Sequence, residues 1–467
     1  MNNQLATKRL FTAPTMINLE LTELCNVKCR HCYNFWRDES MGSVSLNEGQ
    51  FDQLIERFVE AGIFHVVLSG GEPMSRFDLL EYALRRLQEN NISVSCNSNM
   101  MLVTKDRILR LLDAGLDHIL TSIPSCDPVT NDRIMGQVGS FEKIVSGIHV
   151  ATSNSMRVSA NMVITRRNKD QVYETGRLVS ELGCQKLFVT RAVPPTYSDP
   201  ELDDDYQMTP EEVRLTLDDA LRVKRDFGLM IGALVSYPLC FLGDLEKYAD
   251  FTGRGCPSQS GHRMSINANG EIHTCVHEEE GYGNVFDSPI TEIYQSRMRK
   301  WHDGSFYYEG CEGCEYCNIC QSGCSMMALG QYGSHGAKDP LFVGPEGVYR
   351  HFRMVPDDSL YEAMDNGMKF VVPRRLRFRE ENGFYLLNIR WANTITIHDD
   401  IAEFLMARLD DSKPFTLVDF GFEKREALAN LFYKDAVEAE EAGDFEYEDR
   451  RHLNGLSINI EDLPLSA

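Results

Sequence analysis

The chain has 467 residues, 43% of them apolar and 25% charged, enough for two or three domains with cores of their own. A formal net charge of −23, offset by no basic stretch, argues against a nucleic-acid partner, and the absence of any run of about 18 apolar residues argues against a membrane span. Residues 1–14 lack the apolar stretch of an export signal, so the fourteen cysteines are expected to be metal ligands in a reducing cytoplasm and not a disulfide framework.

From about residue 15 to 230, short runs rich in Val, Ile and Leu alternate with amphipathic stretches. Strands are predicted at Met16–Leu21, His65–Ser69, Ser93–Asn97, His118–Ile123, Val158–Thr165 and Lys186–Val193, with the composition of parallel strands covered on both faces. Helices are predicted at Phe51–Ala61, Leu79–Gln88, Arg107–Ala114 and Gln171–Leu182. Thr209, Pro210, Glu211 and Glu212 mark the start of another. Six such units make residues 1–234 an α/β domain, a partial (β/α)6 TIM barrel whose chemistry belongs at the C-terminal strand ends.

Directly after the first strand comes Cys25-Asn-Val-Lys-Cys29-Arg-His31-Cys32. Three thiolates so spaced can hold three irons of a [4Fe–4S] cube and leave the fourth iron open to a small molecule. The second strand ends in Gly70-Gly71-Glu72-Pro73, where glycine lets backbone approach a ligand and Glu72 or neighbouring carbonyls can accept from an ammonium group.

These two motifs resemble those of the radical S-adenosylmethionine (SAM) enzymes. The resemblance implies that the open iron chelates the amino and carboxylate groups of SAM. The reduced cluster would then cleave the sulfonium to a 5′-deoxyadenosyl radical that abstracts a substrate hydrogen. It also implies that Gly70, Gly71, Glu72 and Pro73 meet the SAM amino group, with further contacts from Asn97 and Asn99 at the third strand end and Ser122 at the fourth. Arg191, ending the sixth strand, would pair with the SAM carboxylate. His31 fills a position where the family usually carries an aromatic residue. Cys126, just past the fourth strand, is a candidate hydrogen-atom donor of the kind radical epimerases use. A small buried thiol is the alternative for it, as for Cys96 and Cys184.

Residues 235–340 lose the strand–helix rhythm and gain Cys and Gly, so metal rather than an apolar core is expected to organise them. Cys256-x13-Gly270-x4-Cys275 is followed by Cys311-x2-Cys314-x5-Cys320-x3-Cys324. This resembles the SPASM extension, which holds two auxiliary [4Fe–4S] clusters, three in all with the SAM cluster. The family's last cysteine is missing after Cys324, and Cys317 is extra. By the resemblance, auxiliary cluster I takes Cys256, Cys275 and Cys324 with Cys240 as fourth ligand. Auxiliary cluster II takes Cys311, Cys314 and Cys320, completed by Cys317 or a non-cysteine group. One structural zinc within Cys311–Cys324 is the alternative.

Gln331–Pro345 is expected to be a linker to a small α+β domain at 345–467. There Arg375–Asn388 and Trp391–His398 are strand-like, with a turn at Asn382-Gly383. Ile401–Leu409 and Arg425–Phe432 are helical, and Thr416 with Asp419 forms a capping box. This segment resembles the winged-helix-like unit that recognises leader peptides by strand addition.

The resemblances together imply an enzyme that matures a ribosomally made precursor peptide, installing a thioether or carbon–carbon crosslink or an oxidation, with a flavodoxin- or ferredoxin-type electron donor. A sulfatase-maturase-like formylglycine former is an alternative. Those relatives carry Asp after the equivalent of Cys275, where this chain has Val276 and His277, so His277 becomes the candidate base. A radical peptide epimerase and a non-catalytic, cluster-bearing peptide binder are the others.

Overall fold

The structure, a computed structural model, describes residues 10–34, 44–194, 206, 208–252, 255–351 and 358–440. The chain divides into two compact units, one of residues 1–243 with 255–349 and one of residues 244–254 with 350–467.

The first unit is built on a nine-stranded sheet. Six of its strands are those read from the sequence: β1 (Met16–Thr22), β2 (His65–Gly70), β3 (Ser93–Asn97), β4 (His118–Ser122), β5 (Arg157–Ile164) and β6 (Lys186–Arg191). They lie side by side in chain order and pair in parallel, as a partial barrel requires. Three further strands were not anticipated. β7 (Met230–Gly232) extends the sheet beyond β6, and β8 (Arg263–Ile266) with β9 (Ile272–His273) extends it beyond β1. β8 pairs in parallel with β1 and antiparallel with β9, so the cysteine-rich segment begins as part of the barrel sheet.

Parallel register places paired residues on one face. Ile17, Leu19, Val66, Leu68, Val94, Cys96, Ile119, Val158, Ala160, Leu187 and Val189 share a face and are essentially fully buried. The helices Glu48–Glu60 and Phe77–Glu89 supply the buried Phe51, Leu54 and Phe58 and Leu80, Ala83 and Leu84. Each large side chain so buried contributes about 1.5–3 kcal/mol. The opposite face is polar, with Asn18 and Ser265 beside each other, Glu20 beside Ser69, and Ser122 beside Asn161. Hydrogen bonds run across it, from Thr190 Oγ1 to Asn161 Oδ1 at 2.7 Å and between His118 Nε2 and Ser159 Oγ at 2.9 Å.

Two expectations for the cysteine-rich region change. Residues 263–302 do have an apolar core, with Met264, Ile272, Val285, Ile290, Ile293, Tyr294, Met298 and Trp301 almost completely buried, because β8 and β9 give it a sheet to pack on. The stretch 331–345 is anchored and does not behave as a free linker: Asp339 is 1% exposed and fixed by four hydrogen bonds.

The second unit is α+β. β11 (Arg377–Glu380), β12 (Tyr385–Arg390) and β13 (Asn393–Ile397) form an antiparallel sheet, and β10 (Phe370–Val371) pairs with β14 (Glu438–Ala439). Gly383, at φ 86°, makes the turn between β11 and β12. Helices Asp399–Asp411 and Arg425–Tyr433 close a core around Phe370, Phe415 and Phe432, and the Thr416–Asp419 capping box forms.

Candidate active site

The cysteine loop starts where β1 ends, with Cys25 exposed and Cys29 and Cys32 half-buried. The loop after β2 closes directly onto it. Gly71 N donates to the Thr22 carbonyl and Glu72 N to that of Leu24, both at 2.7 Å. A Cβ on Gly70 (φ 130°) would lie 2.3 Å from the Thr22 oxygen, and one on Gly71 would lie 2.2 Å from the Leu24 oxygen. The glycines are therefore required for one loop to pass against the other, a cause distinct from the approach to a ligand that the motif suggests. A third contact comes from helix Pro128–Met135. Its C-terminal Gly136, at φ 69°, meets the Lys28 carbonyl, Arg30 N donates to Ile134 O at 2.8 Å, and Cys29 Sγ is 3.7 Å from Met135 Sδ.

Glu72 is 1% exposed. Its carboxylate accepts from Met74 N at 3.0 Å, Ser98 Oγ at 2.9 Å and Asn99 N at 2.7 Å, which ties the β2 loop to the end of β3. Burial raises its pKa against these three donors. Both carboxylate oxygens are thus engaged within the fold, so the acceptors left for an ammonium group at this loop are backbone carbonyls. Asn99 Nδ2 reaches back to Asn26 Oδ1 at 2.7 Å, inside the cysteine loop.

Asn97 and Ser122 stand at strand ends on the polar face, with Asn161 and Thr190 beside them. Arg191, one residue further along β6, points to the other side. Its guanidinium donates to Asp339 at 2.8 and 2.6 Å and to the Ser236 carbonyl at 2.5 Å. Strand alternation separates it from the face that the SAM-carboxylate expectation required. The polar pairs on that face are masked in the sequence by the apolar content that marks each strand. The alternations Asn18/Glu20 and Ser159/Asn161 were the available signal.

Cys126 is half-buried past β4, its amide donating to Thr175 Oγ1 at 3.0 Å. Cys96 and Cys184 are buried, and burial pushes the Cys184 thiol up to about 12, as for inert core thiols. His277, in the segment after β9, packs beside the Cys25–Cys32 loop, its ring 5.2 Å from that of Tyr33 and its Nδ1 3.6 Å from Cys275 Sγ. Burial, with Arg263 nearby, brings its pKa down to about 3, far from the range that made it attractive as a base. Glu278, which the sequence reading passed over, is 3% exposed, and burial together with Cys275 pushes it up to about 8. Its carboxylate is 3.4 Å from His335 Nε2. Its place three residues after a cysteine ligand candidate was the only local clue.

None of the fourteen cysteines is in a disulfide. Those downstream fall into two groups by electrostatic reach. Cys256 feels Cys275, and Cys324 feels both. Cys240 feels Cys314, Cys311 feels Cys240 and Cys314, and Cys320 feels Cys240 and Cys311. The structure thus brings Cys240 to the Cys311–Cys320 group, where the sequence pattern had placed it with Cys256. Cys317 lies near Tyr307, as do Cys256 and Cys320. Among the described residues no three His, Cys, Asp or Glu side chains gather tightly enough for a single metal ion. Three thiols on one loop, with an exposed first member, fit a cube held by three cysteines.

The profile of the Radical SAM superfamily matches residues 19–179 and that of SPASM, an iron–sulfur cluster-binding domain, residues 256–321. The AdoMet-dependent heme synthase of Methanosarcina barkeri is 26% identical over 349 residues, 71% of this chain and 97% of that protein. The PqqA peptide cyclase of Methylocella silvestris is 30% identical over 178 residues, 37% of this chain and 46% of that protein. Among solved structures, Streptococcus suis SuiB bound to precursor peptide SuiA aligns with a TM-score of 0.57 at 16% identity, covering 70% of this chain and 75% of SuiB, a likeness of fold.

Proposed function

We propose that this chain is a radical SAM enzyme with a SPASM iron–sulfur domain that modifies a ribosomally made precursor peptide, forming a thioether or carbon–carbon crosslink or an oxidised residue. The observation that carries the reading is the joining of both thiol-bearing segments in one unit. β8 lies beside β1, and His277, two residues past Cys275, meets Tyr33, one residue past Cys32. A substrate on the polar face would therefore lie next to both a hydrogen-abstracting centre and further clusters able to take up an electron.

When bound, a reduced cluster and SAM supply a carbon-centred radical able to remove a hydrogen atom from carbon. Cys25, Cys29 and Cys32 would hold that cluster, and Gly70 and Gly71 keep their loop in place. Carbonyls of the same loop would receive the SAM ammonium, while Asn97, Asn99 and Ser122 offer polar contacts at the strand ends. Eight downstream cysteines are enough for two more clusters, three in all. A flavodoxin- or ferredoxin-type donor would supply electrons, in a reducing cytoplasm where thiols persist. Among the described residues no helix is long and apolar enough to cross a membrane.

Peptide as substrate is supported by the names of the PqqA peptide cyclase and of SuiB with its precursor peptide. It is also supported by the sheet of the second unit, whose edge strand β11 offers backbone for strand addition. A tetrapyrrole substrate is the second reading, favoured by the heme synthase match across 97% of that relative.

Anaerobic, reconstituted protein supplied with a chemical reductant should convert SAM to 5′-deoxyadenosine and, with a peptide encoded beside its gene, lower that peptide's mass by the hydrogens removed. Cys29→Ala should abolish both, while Cys314→Ala should keep part of the SAM cleavage and lose the peptide product. Turnover of a tetrapyrrole with no change in any peptide would replace the first reading with the second.

A further inference from the structure

The SPASM pattern needs one more cysteine after Cys324 than this chain has, so the second auxiliary cluster lacks a ligand from the expected direction. The structure offers one from upstream. Helix Leu239–Leu242 presents its N-terminal end to the short helix Cys317–Cys320, and Leu239 N donates to Cys320 Sγ at 3.4 Å. The next residue is Cys240, half-buried and within electrostatic reach of Cys314, Cys311 and Cys320. The turn Pro345–Gly347 packs on the same helix, and a Cβ on Gly347 would lie 2.5 Å from the Cys240 carbonyl. Amides of Val343 and Gly344 from the preceding residues, and of Phe241, hydrogen-bond the Cys240 sulfur. Amide N–H groups on a ligating sulfur tune the potential of the cluster it binds.

We propose that Cys240 is the fourth thiolate of the second auxiliary cluster, with Cys311, Cys314 and Cys320, standing in from upstream for the missing downstream cysteine. Four cysteines then complete that cluster, and Cys317 is not needed there. The proposal rests on the two-auxiliary-cluster reading and goes beyond it by exchanging the ligand sets.

The test uses the full-length, anaerobically reconstituted protein, reduced without SAM, with iron content and electron paramagnetic resonance as readouts. The component lost in Cys314→Ala defines the second cluster, and the component lost in Cys256→Ala defines the first. Cys240→Ala should remove or shift the Cys314-dependent component and leave the Cys256-dependent one untouched. Cys240→Ser, which keeps a ligating atom, should shift the same component, and Cys317→Ser should leave it as in wild type. Perturbation of the Cys256-dependent component by Cys240→Ala or Cys240→Ser, or of neither, overturns the assignment. A wild-type protein with fewer than two auxiliary components overturns both the assignment and the reading beneath it.

Discussion

The buried Arg191–Asp339 pair gives the sharpest test of how the structure departs from the family expectation. The two side chains are 5% and 0% exposed, and Asp339 also accepts from Cys324 N and Leu341 N at 2.9 Å each. Arg191→Met strands a carboxylate in the interior, a loss of about 3–5 kcal/mol for a broken buried pair. Adding Asp339→Asn removes the stranded charge and leaves one amide N–H facing a donor. The double variant should therefore lose only about 1–3 kcal/mol. Urea unfolding followed by Trp301 fluorescence is a suitable assay, because Trp301 is 1% exposed in the same apolar group as Cys324. SAM affinity of the folded Arg191→Met protein should match wild type. A loss under about 1 kcal/mol, or a double variant weaker than the single, would refute the stability argument. Lost SAM affinity with unchanged stability would return Arg191 to the SAM carboxylate.

Two further outcomes follow from local geometry. Gly71→Ala drives a methyl group into the Leu24 carbonyl beside Cys25, so about four irons per chain should be lost. Deoxyadenosine formation should vanish while far-ultraviolet circular dichroism holds; full iron content in this variant would contradict the close packing of the two loops. His118, hydrogen-bonded to Ser159, is lowered to about 4 chiefly by burial, so the unfolded chain binds its proton more readily. Stability should accordingly fall as pH drops from about 6.5 to about 4 and then level off. His118→Gln should flatten that slope in a series of melting temperatures, and an unchanged slope would rule out His118 as its source.

Much of this protein was legible from residue order alone. The βα rhythm and the strands β1 to β6 follow from local composition. The Cys25–Cys32 spacing proposes a three-thiol donor set, and Thr209 caps the helix expected to start there. These features depend on neighbours within a few residues, which is the range over which periodicity and spacing carry information. What tertiary structure alone decided are relations between distant positions. Parallel register put Thr190 on the polar face and Arg191 against Asp339, 148 residues away. β8 joined β1 through a pairing that no local pattern announces. Cys240 came to Cys314 instead of Cys256 because the helix carrying it docks on Cys320. Local order named the thiols, and long-range packing chose their companions.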